Sequence, residues 1–94
     1  MPIRSFKDKR GSLLFDGDRP RDFLPDLVSA AKRKLRAIEA AEALGDLAQV
    51  PGNRLEKLKG DRAGRWSIRI NDQWRICFLW KIDGAHDVEV VDYH

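Results

Sequence analysis

The 94-residue chain has one cysteine, Cys77, one tyrosine, Tyr93, and two histidines, His86 and His94. A lone cysteine forms no internal disulfide, so stability is expected to come from an ordinary core in a reducing, cytoplasmic compartment. Long apolar runs are missing too. The longest is Ile76–Trp80, far short of the ~20 residues of a membrane-spanning helix, and no membrane partner is expected. Met1–Arg10 carries Arg4, Lys7, Lys9 and Arg10 where a secretory segment would be apolar. The two histidines lack ligand-like spacing, which leaves no metal site and no cofactor to expect. Gly60 and Gly64 lack the spacing and the following helix of a phosphate-binding loop. Cys77 falls mid-strand, where a thiol is packed and inert rather than nucleophilic. Internal repeats and low-complexity stretches are absent.

What remains is 43% hydrophobic and 35% charged, with 18 Lys+Arg against 15 Asp+Glu. That is too apolar for a disordered tail, and the length suits a single domain over residues 1–94. The formal charge of +3 conceals a layout. Arg54–Arg75 holds seven basic and three acidic residues, while Lys81–His94 holds one and four.

Gly11, Gly17, Pro20 and Pro25 divide the first quarter into short pieces. Pro2–Phe6 reads as a short strand and Phe6–Phe15 as a helix or turn interrupted by Gly11. From about residue 25 to 44, Leu27, Val28, Ala31, Leu35, Ile38 and Ala41 recur at three- and four-residue steps. That spacing predicts an amphipathic helix opened by Pro25 and stopped at Gly45. The period then changes to two. Arg65–Ile70, Trp74–Trp80 and Val88–Tyr93 read as strands, with Arg54–Lys59 a fourth, shorter candidate. The expected architecture is α+β in two layers: an N-terminal helical part packed on a C-terminal, mostly antiparallel twisted sheet of three to five strands.

Asn71-Asp72-Gln73 joins two of these strands. A two-residue loop would set Ile68 beside Arg75, mixing apolar and polar faces. The three-residue loop pairs Ile70 with Trp74, Ile68 with Ile76 and Trp66 with Phe78, and so satisfies the apolar pattern. Arg69 then stands opposite Arg75 on the face away from the core. Like charges directly opposite are destabilising, and an anion between the two guanidinium groups would relieve them. Pairing the next strand through Asp83-Gly84 is expected to put Val88 and Val90 beside Trp80 and Phe78, with Tyr93 close to Arg75.

The basic segment contributes Lys57, Lys59, Arg62 and Arg69 as candidates for phosphate contact, a pattern suited to single-stranded nucleic acid. Trp66 and Trp74 fall on the apolar face and belong to the core. At the end of the chain, Asp92, Tyr93 and His94 are proton-transfer groups. With Arg69 and Arg75 they suit RNA cleavage by attack of a 2′-hydroxyl on its own phosphate, arginine stabilising the extra charge of the transition state. No metal is needed for that route.

Several segments carry a resemblance. Ile3–Lys7, Pro51–Leu55, Leu58–Arg62, Trp66–Ile68, Gln73–Ile76 and the terminal Asp92-Tyr93-His94 resemble the HigB toxins of the RelE-like superfamily, in family order and spacing. The resemblance implies a bacterial toxin that cleaves mRNA in the A site of the 70S ribosome. It also implies neutralisation by a HigA-type helix-turn-helix antitoxin, with operator DNA reached only through that antitoxin. By position, Asp92, Tyr93 and His94 match the family's catalytic residues, Arg75 the arginine on the scissile phosphate, and Lys59 a lysine near it. Glu56 stands where several relatives have histidine. A carboxylate can act as acid or base but does not replace a cationic imidazole, so attenuated cleavage is expected. The alternative is a non-catalytic or weakly active ribosome- or RNA-binding protein kept for its antitoxin complex.

Overall fold

The computed structural model of the protein describes residues 2–60 and 64–92. Its first helix, α1 (Lys9–Phe15), is capped by Asp8, whose carboxylate accepts the Gly11 N–H at 2.9 Å. Gly11 lies inside this helix instead of interrupting it. A Cβ there would meet Asp8 Oδ1 at 2.9 Å and the Phe6 ring at 3.0 Å, so the missing side chain is what lets the cap and the ring close over the turn. Pro25 opens α2 (Pro25–Ala40), which buries Val28, Ala31, Leu35 and Ile38 along one stripe. The helix ends four residues before the expected Leu44. Ala41 is buried and extended, and the Asp46 carboxylate accepts the N–H groups of Glu42 at 3.0 Å and Ala43 at 3.1 Å. Those bonds start a separate helix, α3 (Leu44–Ala48), so Gly45 lies within an element and is not a stop.

The sheet has four antiparallel strands in chain order: β1 (Glu56–Lys57), β2 (Arg65–Arg69), β3 (Trp74–Lys81) and β4 (Gly84–Asp92). Trp66 pairs with Phe78 and Ile68 with Ile76, and the Ile70 N–H donates to the Trp74 carbonyl at 2.9 Å. The connection is therefore the three-residue one that the apolar pattern requires. Asn71 Oδ1 shapes it by accepting the N–H groups of Gln73 and Trp74, both at 2.8 Å.

The β3–β4 pairing departs from expectation. Lys81 pairs with Gly84, so the turn is Ile82-Asp83 and the strand begins four residues before Val88. Trp80 faces Ala85, and Val90 faces Ile76 rather than Phe78. Continued unbroken, that register would turn Val88 and Val90 to the wrong side. A one-residue bulge between Cys77 and Leu79, with Asp87 at φ 51°, exchanges the faces part-way along β4. Ala85 before the bulge and Val88 and Val90 after it all reach the core.

The opening segment attaches beside β4 through parallel bridges, Ile3 to Ala85 and Phe6 to Val88. Gly84 (φ 134°) makes this approach possible. Ala85 N–H donates to the Pro2 carbonyl at 3.0 Å, and a Cβ on Gly84 would lie 2.0 Å from that carbonyl oxygen. The core sits between α2 and the near face of the sheet: Ala31, Leu35 and Ile38 belong to one buried cluster with Ile68, Ile76, Phe78 and Val90. Trp66, Trp74 and Trp80 pack at its margin, partly buried. The other face of the sheet carries Ser67, Arg69, Arg75 and Glu89 together with Cys77 and Val91.

Candidate functional site

Strand alternation sets Ser67 and Arg69 of β2, Arg75 and Cys77 of β3, and Glu89 and Val91 of β4 on the face away from α2. That face is not simply solvated. Ser67 and Cys77 are fully buried and Arg75 is only 8% exposed. A buried guanidinium requires acceptors. Arg75 Nε donates to Ser67 Oγ at 2.8 Å, and its Nη2 donates to the Arg54 carbonyl at 2.7 Å and to the Ser67 carbonyl at 3.4 Å.

The Arg54 carbonyl reaches Arg75 because the chain reverses there. A short 3-10 turn, Pro51–Asn53, ends at Arg54 in the left-handed region (φ 44°). Asn53 is buried and its Nδ2 donates to the Leu47 carbonyl at 3.0 Å. Lys34 Nζ, from α2, donates to Asn53 Oδ1. Partial burial, then the charges of Arg33 and Arg69, lower the pKa of Lys34 below the ordinary lysine range.

Arg69 pairs with Arg75 across the strands, as expected from the loop length. The two guanidinium groups have protein partners of their own. Arg69 Nη2 is hydrogen-bonded to Asp72 Oδ1, and Arg75 Nη2 lies 3.8 Å from Glu56 Oε2. Glu56 pairs with Ser67 and so shares the Arg75 face. Lys57 does not join them. It pairs with Trp66, and its Nζ lies 5.9 Å from that ring's centroid, on the helix side of the sheet. Alternation in a two-residue strand sends neighbouring side chains to opposite faces, which separates Lys57 from Glu56. Lys59 is exposed just after β1.

Asp92 pairs with Trp74, hence on the side opposite Arg75, and its Oδ2 accepts from Gln73 Nε2 at 3.1 Å. Arg62, Tyr93 and His94 lie outside the described residues, as does the expected approach of Tyr93 to Arg75. Three contributors escaped sequence reading. Ser67 looked like any outward strand residue, the Arg54 carbonyl carries no side-chain signal, and Lys34 was one of several bases on the polar faces of α2.

A cleft of about 640 Å³ opens elsewhere, between the start of α2 and the β2–β3 loop, lined by Asp22, Leu24, Asp26, Leu27 and Trp74. Two carboxylates repel phosphate, which leaves the Arg75 face as the candidate site.

A family model described as the RelE-like toxin of the type II toxin-antitoxin system HigB matches residues 4–94. The chain belongs to the HigB toxin family. Among HigB relatives, Toxin HigB-1 of Vibrio cholerae is 39% identical over 90 residues, covering 95% of this chain and 94% of that protein. Endoribonuclease HigB of Proteus vulgaris is 36% identical over 92 residues, covering 98% and 99%. The YoeB/ParE toxin from Agrobacterium tumefaciens superposes with a TM-score of 0.54 at 21% identity, over 100% of this chain and 99% of that one. That likeness supports the RelE-like α+β fold. As the toxin of a type II system, a HigB chain has an antitoxin as its partner.

Proposed function

We propose that this HigB-family protein is a ribosome-dependent endoribonuclease that cuts mRNA in the A site and so stops translation. The observation that carries the reading is Arg75, nearly buried, held by Ser67 Oγ and two backbone carbonyls, and set opposite Arg69. A guanidinium fixed by its own acceptors presents positive charge without reorganising as the reaction proceeds, which is what transition-state stabilisation needs. The similarity to Endoribonuclease HigB of Proteus vulgaris supports the RNA-cleaving part of this reading.

In this reading the 2′-oxygen attacks the adjacent phosphorus as a base removes its proton, and the bond to the 5′-oxygen breaks as an acid protonates it. The products are a cyclic phosphate and a free 5′-hydroxyl. His94 and Tyr93 serve as the proton-transfer pair. Arg75 stabilises the pentavalent phosphorus, and Asp92, held by Gln73, precedes the pair in the chain. Lys59, Arg62 and Arg69 contact the RNA backbone. The antitoxin partner is of the HigA type, with a helix-turn-helix, and operator DNA is reached only through it. The protein acts in the cytoplasm as a single toxin domain.

Glu56 favours a second reading, a ribosome- or RNA-binding protein with little cleavage, because its carboxylate lies 3.8 Å from Arg75. Induced expression separates the two. Growth arrest with mRNA cut within codons, abolished by Arg75→Ala or by deletion of His94 and suppressed by the antitoxin, supports the nuclease. Arrest that survives both changes overturns it.

A further inference from the structure

Cations from three separate parts of the chain gather at one corner of the sheet. Lys34 comes from α2, Arg69 from the end of β2 and Arg75 from the start of β3. The bond from Lys34 Nζ to Asn53 Oδ1 ties the helix to the turn whose next carbonyl, that of Arg54, accepts from Arg75. Arg69 and Arg75 have carboxylates beside them, Asp72 and Glu56. Lys34 has the neutral amide of Asn53, and among the described residues no carboxylate lies within ion-pair distance of its ammonium. An ammonium carries three donors, of which Asn53 takes one. Partial burial together with like charge from Arg33 and Arg69 disfavours the charged form. An anion bound there would offset the like charge of Arg33 and Arg69.

We infer that Lys34 and Arg69 form a second anion subsite, which takes a backbone phosphate neighbouring the one held at Arg75. The subsite rests on the RNA-cleaving reading above and extends it, since it adds a residue from the helical layer to a face otherwise built from strands. It gives the site a direction: the bound strand runs from Arg75 past Arg69 towards α2, and one extra phosphate contact fixes its register over the reacting centre.

The alternative is a purely structural Lys34 that only orients Asn53, and a charge-specific test separates the two. The probe is a fluorescent single-stranded RNA with 2′-O-methyl groups, which cannot be cleaved, titrated onto the full-length protein at several salt concentrations. Lys34→Gln keeps an amide donor for Asn53 but removes the charge. It is expected to weaken binding about threefold to tenfold at low salt and to reduce the slope of log affinity against log salt by about 0.7. Lys34→Arg is expected to restore both. Lys34→Met, which removes the charge and keeps the length of the stem, is expected to lower the slope by the same amount, so the test stands even where Lys34→Gln does not fold. Unchanged slopes in Lys34→Gln and Lys34→Met overturn the subsite while leaving the nuclease reading in place. If the wild-type protein neither binds this RNA nor cuts mRNA on ribosomes, the reading and the subsite fall together.

Discussion

Glu56 Oε2 lies 3.8 Å from Arg75 Nη2, with the carboxylate side chain 55% exposed and the arginine 10% exposed. A phosphate arriving at Arg75 meets that negative charge. A pair so open to solvent is worth about 0–1 kcal/mol, so Glu56→Gln is expected to raise RNA affinity by no more than about fivefold. Glu56→His is expected to raise the rate of ribosome-dependent cleavage further, because an imidazolium adds charge of the right sign. Equal rates in all three proteins would overturn the expectation that Glu56 attenuates cleavage. Ser67 acts from the other side of the same guanidinium. Ser67→Ala takes away the acceptor of Arg75 Nε in a buried setting, which costs about 1–3 kcal/mol. Urea unfolding measures that loss, and cleavage should fall with it. Arg69 and Arg75 were legible in the sequence because loop parity alone sets them opposite each other. Their acceptors were not, since a backbone carbonyl turned by a left-handed residue leaves no mark on composition or period.

At the scale of elements, the helix stripe, the three-residue loop and the faces of β2 and β3 were all readable from period. The β3–β4 register was not. Alternation counts faces correctly only along an unbroken ladder, and the bulge at Asp87 inserts one residue that no residue-type pattern announced. Gly84 was likewise read as a turn residue, whereas it admits the Pro2 carbonyl to the edge of β4. Gly84→Ala therefore places a methyl group 2.0 Å from that oxygen and forces a left-handed alanine. The backbone strain alone costs about 1–3 kcal/mol, and displacement of residues 2–6 adds to it. The expected result is a lower unfolding midpoint together with faster amide exchange at Arg4 and Lys7, whose N–H groups bond to β4 carbonyls. In the adjoining turn, Asp83 accepts from His86 Nε2 at 2.7 Å, and that bond, ahead of the charges of His86 and Arg4, holds its carboxyl below the usual carboxylate range. A depressed carboxylate pKa stabilises the fold above its unfolded value and loses that effect as pH falls through the folded one. Asp83→Asn is thus expected to be less stable than wild type near neutral pH, with the gap closing below about pH 4. A constant gap across the acid limb in thermal melts would exclude this role.

The whole molecule measures 32 × 26 × 26 Å, and its charge is divided within that volume. The seven basic residues of Arg54–Arg75 are partly answered by the acidic end of the chain, as where Arg65 Nη2 meets Asp87 Oδ2 at 3.2 Å. The formal +3 therefore overstates what a polyanion feels broadly, and at the corner holding Lys34, Arg69 and Arg75 the carboxylates of Asp72 and Glu56 answer two of the three cations. Local positive charge attracts a phosphate but does not by itself hold several nucleotides in line for attack. Orientation of a reacting pair is worth up to about 7–11 kcal/mol of barrier, more than two or three phosphate contacts on an open face supply. In the proposed reading the ribosomal A site already constrains the message, and the protein brings charge and proton transfer to it. The expected outcome is that purified protein cuts a message on programmed ribosomes at least about a hundredfold faster than the same RNA free in solution. Arg75→Ala should abolish the fast reaction, and raised salt should slow cleavage of free RNA more steeply than cleavage on the ribosome, where the message is positioned by other contacts. Equal rates on the two substrates would mean that the Arg75 face aligns RNA unaided, and the ribosome would then be a target rather than a part of the catalyst.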